Sequence, residues 1–81
     1  MWPKNKLTRF EVARIISARA LQIELGAPAF ASGKNSIEKA KEEFKKGLIP
    51  LTILRKMPDG SYVEVNLEEA IKNWLNEHGG I

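Results

Sequence analysis

The one histidine, His78, is the first side chain to weigh for chemistry, because an imidazole can act as a general base or a metal ligand near neutral pH. Catalysis by a Ser/His/Asp arrangement would require His78 beside a serine in a formed cleft, and nothing local supplies one. It falls instead in the last turn of a predicted helix, where a partly charged ring suits the helix dipole. With no cysteine in the sequence, neither a disulfide nor a thiolate metal site is possible, and one histidine does not build a zinc site alone. Glu38, Glu42 and Glu43 alternate with Lys39, Lys41, Lys45 and Lys46, the pattern of a solvated, ion-paired helix face. Glu68 and Glu69 suit a helix N-terminus. The glycines at 26, 33, 47, 60, 79 and 80 form neither GxGxxG nor a loop ending in GK[ST]. No catalytic, metal or cofactor-binding constellation follows. What remains is Arg14, Arg19 and Gln22, set among apolar residues of a single segment. Buried there, their heads need a carboxylate, a carbonyl or water. The chemistry on offer is recognition.

The segment that carries them begins with a strong helix start. Thr8 can accept from the amide of Glu11 while Glu11 reaches back to the amide of Thr8, and Leu7 and Val12 are spaced as a hydrophobic staple. The helix is expected from Arg9 to Leu25, with Gly26 as its stop and Pro28 preventing resumption. At 100° per residue, Phe10, Ala18, Leu21 and Leu25 fall along one side. Val12, Ile16, Ala20 and Ile23 fall nearly opposite, with Ile15 between. A helix that is apolar on two sides needs cover on two sides. The remainder of this chain is small for that task, which points to a partner.

From Gly26 to Asn35 runs a connector rich in Ala, Gly, Pro and Ser, with Phe30 as its one bulky member and expected anchor. A second helix, capped by Asn35 or Ser36, is expected to reach Lys46 and stop at Gly47, with Ile37, Ala40, Phe44 and Leu48 on its narrow apolar face. Leu51 to Lys56 and Ser61 to Val65 have strand composition, and Met57-Pro58-Asp59-Gly60 between them has turn chemistry, which predicts a hairpin. Asn66, with Glu69 three residues on, opens a last helix that presents Leu67, Ala70, Ile71, Trp74 and Leu75 and ends at Gly79-Gly80. Because a lone hairpin is marginal in water, Leu67, Ile71 and Trp74 are expected to cover it. The fold class is α+β, mainly helical: two N-terminal helices, a β-hairpin and a C-terminal helix.

Eighty-one residues make one domain, read here as 1–81. A core of that size rarely supplies more than about 3 to 5 kcal/mol, so a partner is a natural source of further support. No apolar run approaches a membrane span. The start, Met1-Trp2-Pro3-Lys4-Asn5-Lys6, lacks the apolar stretch of a secretory signal, so a cytoplasmic location is expected. Residues 1–47 hold ten Lys or Arg against five Glu, and residues 48–81 three against five acids. A basic first half raises the alternative of a stand-alone DNA-binding helical module. Against it, about ten residues separate the first two helices where a helix-turn-helix uses about three or four. The second helix also alternates Glu with Lys where base-reading side chains would stand.

The blocks Leu7-Thr8-Arg9-Phe10-Glu11, Ala13-Arg14, Ser17-Ala18-Arg19-Ala20-Leu21-Gln22 and Gly26-Ala27-Pro28 stand in one order with Ile49-Pro50-Leu51-Thr52-Ile53 and Pro58-Asp59-Gly60-Ser61-Tyr62. Over Lys6 to Val65 they resemble the polymerase-subunit family of archaeal subunit K, the small subunit common to the three eukaryotic nuclear RNA polymerases, and bacterial omega. The resemblance implies an omega-like fold and a subunit with no activity of its own, which clasps the largest subunit of DNA-directed RNA polymerase and promotes assembly. DNA would be met only through the complex, with no membrane and no small-molecule ligand. Carried over, the clasp would use Phe10, Arg14, Arg19, Ala20, Gln22 and Ile23 of the helix, and Gly26, Ala27 and Pro28 of the turn. Met1-Trp2-Pro3-Lys4 does not resemble the bacterial segment that contributes to an alarmone site, and only six residues precede the shared motif, so no tail contact like the eukaryotic one is implied. The helix after Val65 is not a family hallmark.

Overall fold

The computed structural model describes residues 3–81. Met1 and Trp2, on which the expectation about the N-terminal segment partly rests, lie outside the described residues. Five elements follow in order: α1 (Arg9–Glu24), α2 (Ser36–Lys45), β1 (Leu54–Lys56), β2 (Tyr62–Glu64) and α3 (Leu67–His78). The α+β, mainly helical class is therefore correct.

Local chemistry explains each boundary. Thr8 and Glu11 form the reciprocal capping box, with Glu11 N donating to Thr8 Oγ1 at 3.1 Å and Thr8 N to Glu11 Oε1 at 2.9 Å. Both staple residues, Leu7 and Val12, are buried. Asn35 caps α2 through the Glu38 amide at 2.9 Å, and Asn66 caps α3 through the Glu69 amide at 3.4 Å. The first two helices close with the same paired bonds. Ala27 N donates to Gln22 O and Gly26 N to Ile23 O after α1; Leu48 N donates to Glu43 O and Gly47 N to Phe44 O after α2. The helices end one residue short of expectation, because Leu25 and Lys46 are caps rather than helical residues.

Packing of α1 on α2, and of α3 on α2, builds the core. It comprises Val12, Ile15, Ile16 and Ala20 of α1, Ala40 and Phe44 of α2, Leu67, Ala70, Ile71 and Trp74 of α3, with Leu7 and Val65. Ile37 and Leu48, expected on the buried face of α2, are exposed: Ile37 sits in the first turn, on the rim of a groove it shares with Val12, Ile16 and Trp74, and Leu48 lies past the last helical residue.

The strands are shorter than their composition suggests. β1 and β2 pair antiparallel with Leu54 opposite Glu64, Arg55 opposite Val63 and Lys56 opposite Tyr62. Leu51 and Ile53 pack against the helical core instead of extending the ladder, apart from Val65 N donating to Ile53 O at 2.9 Å. Gly60 takes φ +90° in the turn, as the Pro-Asp-Gly order predicts. The expected apolar cover by α3 reaches only the inner ends of the hairpin: Val65 is buried in one core with Leu67, Ile71 and Trp74, and Ile53 packs against it, whereas β1 and β2 themselves do not meet α3. The strands are held by charge as well: Arg55 reaches from β1 to Glu11, to Pro3 O at 2.6 Å and to Lys6 O. Residues 3–6 are themselves pinned by Asn66 N to Lys4 O at 3.0 Å and Asn73 Nδ2 to Asn5 O at 2.8 Å.

Candidate partner interface on helix α1

The two apolar sides of α1 meet different fates. Val12, Ile15, Ile16 and Ala20 are buried against the rest of the chain, whereas Phe10, Leu21 and Leu25 are 83%, 58% and 79% exposed. Arg14 and Ala18 are exposed on the same uncovered side. That side runs beside a groove of about 300 Å³ lined by Glu11, Arg14, Ile15, Ala18 and Leu51 to Leu54. A stripe of large apolar side chains with one arginine in its middle is costly to leave in water and suited to a protein surface.

Other residues expected at an interface are distributed unevenly. Gln22, Gly26 and Pro28 are exposed, and Ile23 and Ala27 half-buried. Arg19 and Ala20 face inward and are buried, so neither is offered to a partner in the free chain. The burial of Arg19 has a specific cause. Its Nε donates to Glu43 Oε1, its Nη2 to Glu43 Oε2 at 3.0 Å and to Pro28 O at 2.7 Å, and its Nη1 to Gln22 Oε1 at 3.1 Å. Glu43 Oε2 also accepts from the Phe30 amide at 2.8 Å.

Glu43 therefore departs from the solvated face expected for it. It is completely buried, one residue before Phe44 and three after Ala40, on the side of α2 that meets α1. Burial pushes its carboxyl up, and the Arg19 hydrogen bond, the Phe30 amide and the Arg19 charge together pull it further down, leaving it below its ordinary value and ionised at neutral pH. Phe30 is not a buried anchor. Its ring is 54% exposed with the Arg19 guanidinium carbon 5.3 Å from its centre. The connector is tied down through its backbone instead.

A second Arg–Glu junction, not anticipated from the sequence, lies at the start of α1. Arg55 Nε donates to Glu11 Oε2 and Nη2 to Glu11 Oε1, both at 2.7 Å. The Arg55 hydrogen bond is the main reason the Glu11 carboxyl sits below its ordinary value, with the Thr8 contacts and the Arg55 charge adding to it against partial burial. His78 stacks on Trp74, ring centres 3.8 Å apart, and its Nδ1 lies 3.1 Å from Trp74 O in the last turn of α3. Among the described residues no group of three or more His, Cys, Asp or Glu could hold a metal ion, and no helix is long and apolar enough to cross a membrane.

The family model described as RNA polymerase Rpb6 matches residues 4–51, the stretch holding α1, the connector, α2 and the run into β1. The chain belongs to the RNA polymerase Rpb6 family. Similar proteins include the DNA-directed RNA polymerase subunit Rpo6 of Saccharolobus islandicus strain M.14.25, 47% identical over 75 residues, covering 86% of this chain and 78% of that protein. The Sulfolobus acidocaldarius protein of the same name is also 47% identical over 75 residues, covering 86% of this chain and 83% of its own length. That of Pyrococcus abyssi is 55% identical over 53 residues, 62% of this chain and 93% of its own length. The helix α3 lies beyond the matched residues of the Rpb6 family model.

Proposed function

We propose that this chain is a noncatalytic subunit of DNA-directed RNA polymerase, and that it clasps the largest subunit through the uncovered face of α1 and the turn that follows, promoting assembly and stability of the enzyme. Membership of the Rpb6 family and the shared name of its relatives support the polymerase assignment. The observation that carries the clasp is the exposure of Phe10, Leu21 and Leu25 on one side of a helix whose other side is already packed. Nucleotide addition falls to other subunits. The chain works in the cytoplasm and meets DNA only through the complex. Phe10, Arg14, Gln22, Gly26 and Pro28 contact the largest subunit directly, and Ile23 and Ala27 at the rim.

The test is a comparison of folding and capture. Phe10→Asp and Leu21→Asp alter exposed positions, so each melts within about 0.5 kcal/mol of the unmodified chain. Each lowers capture by the largest polymerase subunit of the same organism about tenfold or more, as expected for an apolar anchor at the centre of an interface. Undiminished capture by both variants would sink the clasp.

A further inference from the structure

The connector between α1 and α2 is ordered without a core of its own. None of residues 26–35 is buried, and Pro28, Ala29 and Phe30 in its middle are exposed. What fixes it is polar. Pro28 O accepts from Arg19 at 2.7 Å and Phe30 N donates to Glu43 at 2.8 Å, while Lys34 N donates to Glu38 Oε2 at 2.9 Å. A Cβ on Gly33 would lie 2.8 Å from Lys39 N, so the far end of the connector passes against α2 where only glycine fits.

An ion pair as dry as Arg19–Glu43 is poor evidence for stability by itself, because apolar residues of similar volume in such places often do as well or better. What such residues could not do is bond the connector. Arg19 and Glu43 spend their remaining hydrogen-bonding capacity on Pro28 O and Phe30 N, and so fix one backbone path at the end of α1 where Leu21 and Leu25 stand exposed. A loop already ordered before docking avoids the loss of chain freedom that ordering at the interface would add.

We infer that Glu43 is a positioning residue for partner docking: through Arg19 and the Phe30 amide it holds residues 28–30 in a preformed conformation that presents Phe30 as part of the docking surface. The inference rests on the clasp reading above and adds a buried residue that never touches the partner. It also gives Arg19 its role, as the link between the carboxylate and the connector rather than as a contact.

The experiment uses the full chain and the largest polymerase subunit of the same organism. Arg19→Met/Glu43→Leu exchanges the pair for apolar side chains, and an ester in place of the amide between Ala29 and Phe30, accessible by chemical ligation at this length, deletes the single N–H donor. The double variant is expected to retain the thermal melt of the unmodified chain, and the ester to stay folded with a somewhat lower melt. Amide exchange in the connector speeds up about tenfold or more in the double variant, and affinity falls about tenfold in the double variant and several-fold in the ester. Phe30→Ala weakens binding in the unmodified chain and adds little in the double variant, because the ring is then no longer held in place. Unmodified affinity in a folded ester chain overturns the inference even if the double variant fails to fold. Phe10→Asp and Leu21→Asp run alongside separate the two readings. Loss of binding there with full binding by the ester chain overturns only the role of Glu43, whereas full binding by both Phe10→Asp and Leu21→Asp overturns the clasp.

Discussion

Two Arg–Glu junctions tie this molecule together, and they differ chiefly in how much water reaches them. At the α1–α2 junction the Arg19 and Glu43 side chains are 3% and 0% exposed; where the hairpin meets α1, Arg55 and Glu11 are each 17% exposed. The bonding is otherwise alike. In each, an arginine makes a two-point fork with one carboxylate and gives a further donor to backbone carbonyls, Pro28 in the first case and Pro3 and Lys6 in the second. Each also joins a segment with little apolar burial of its own to a helix that has more. Identical chemistry at two depths allows the effect of desolvation to be read within one small protein.

The largest effect is expected at the dry junction. Glu43→Ala leaves a buried guanidinium without its counter-charge, a loss of about 3 to 5 kcal/mol. That equals roughly all a core of this size supplies, so the variant is expected to be largely unfolded at room temperature by circular dichroism. A cooperative melt near that of the unmodified chain would mean that water or Gln22 compensates the charge, and that the two junctions differ less than their exposures imply.

At the wetter junction the same kind of cut acts locally. Arg55→Met keeps the apolar stem and removes the fork to Glu11, for a cost of about 1 to 3 kcal/mol. Only the hairpin and residues 3–6 depend on that fork, so the helices should keep their circular dichroism while the amides of Met57 and Val65, bonded to Ser61 O and Ile53 O, exchange faster. Exchange rising equally in α1 and α2 would show that the hairpin supports the whole fold.

The contrast between these junctions also marks where the sequence was legible and where it was not. Signals confined to a few neighbouring residues were readable: the Thr8–Glu11 capping box, the Asn66 cap and the Pro-Asp-Gly turn each involve partners within three positions. The two faces of α1 were readable too, because helical winding alone separates Phe10, Leu21 and Leu25 from Val12, Ile16 and Ala20. Neither Arg–Glu junction was, since their members stand 24 and 44 positions apart and an isolated glutamate in a Lys/Glu-rich helix reads as solvated. One clue to Glu43 did exist, in its placement beside the Ala40–Phe44 face. The short strands illustrate the same limit. Leu51 and Ile53 have strand composition, and only the position of the helical core decides that they pack there rather than pair.

Acid sharpens the comparison by a smaller margin. Both carboxyls sit below their ordinary value of 4.5, so the unfolded chain binds their protons more tightly than the folded one. Their stabilisation is complete above about pH 4.5 and is lost as pH falls through the lower folded values. Urea melts should therefore be flat near neutrality and fall in acid. In Arg55→Met the main cause of the Glu11 shift is gone, so its carboxyl returns toward the ordinary value and the loss of stability in acid becomes shallower, by the share that Glu11 held. An acid limb unchanged by Arg55→Met would assign none of the acid sensitivity to Glu11 and leave it to Glu43 and the other lowered carboxyls, Asp59 and Glu77.

The smallest effect is expected where water is most plentiful. Lys6 Nζ and Glu77 Oε1 form a third ion pair between the N-terminal segment and α3, with side chains 42% and 46% exposed. Two long side chains lose freedom to meet there, and each already has good partners in water, so exposed pairs of this kind commonly contribute little. Lys6→Met also leaves the Lys6 carbonyl in place, so the backbone acceptor used by Arg55 survives the substitution. The variant is thus expected to melt with the unmodified chain. Raising the ionic strength to about 1 M, where the screening length falls to about 3 Å, should not separate the two. A measurable drop for Lys6→Met that vanishes in salt would show that residues 3–6 are held by surface charge. In that case the tether of the hairpin would depend on an exposed pair as much as on the Arg55 fork, and the ordering of the three junctions by exposure would fail.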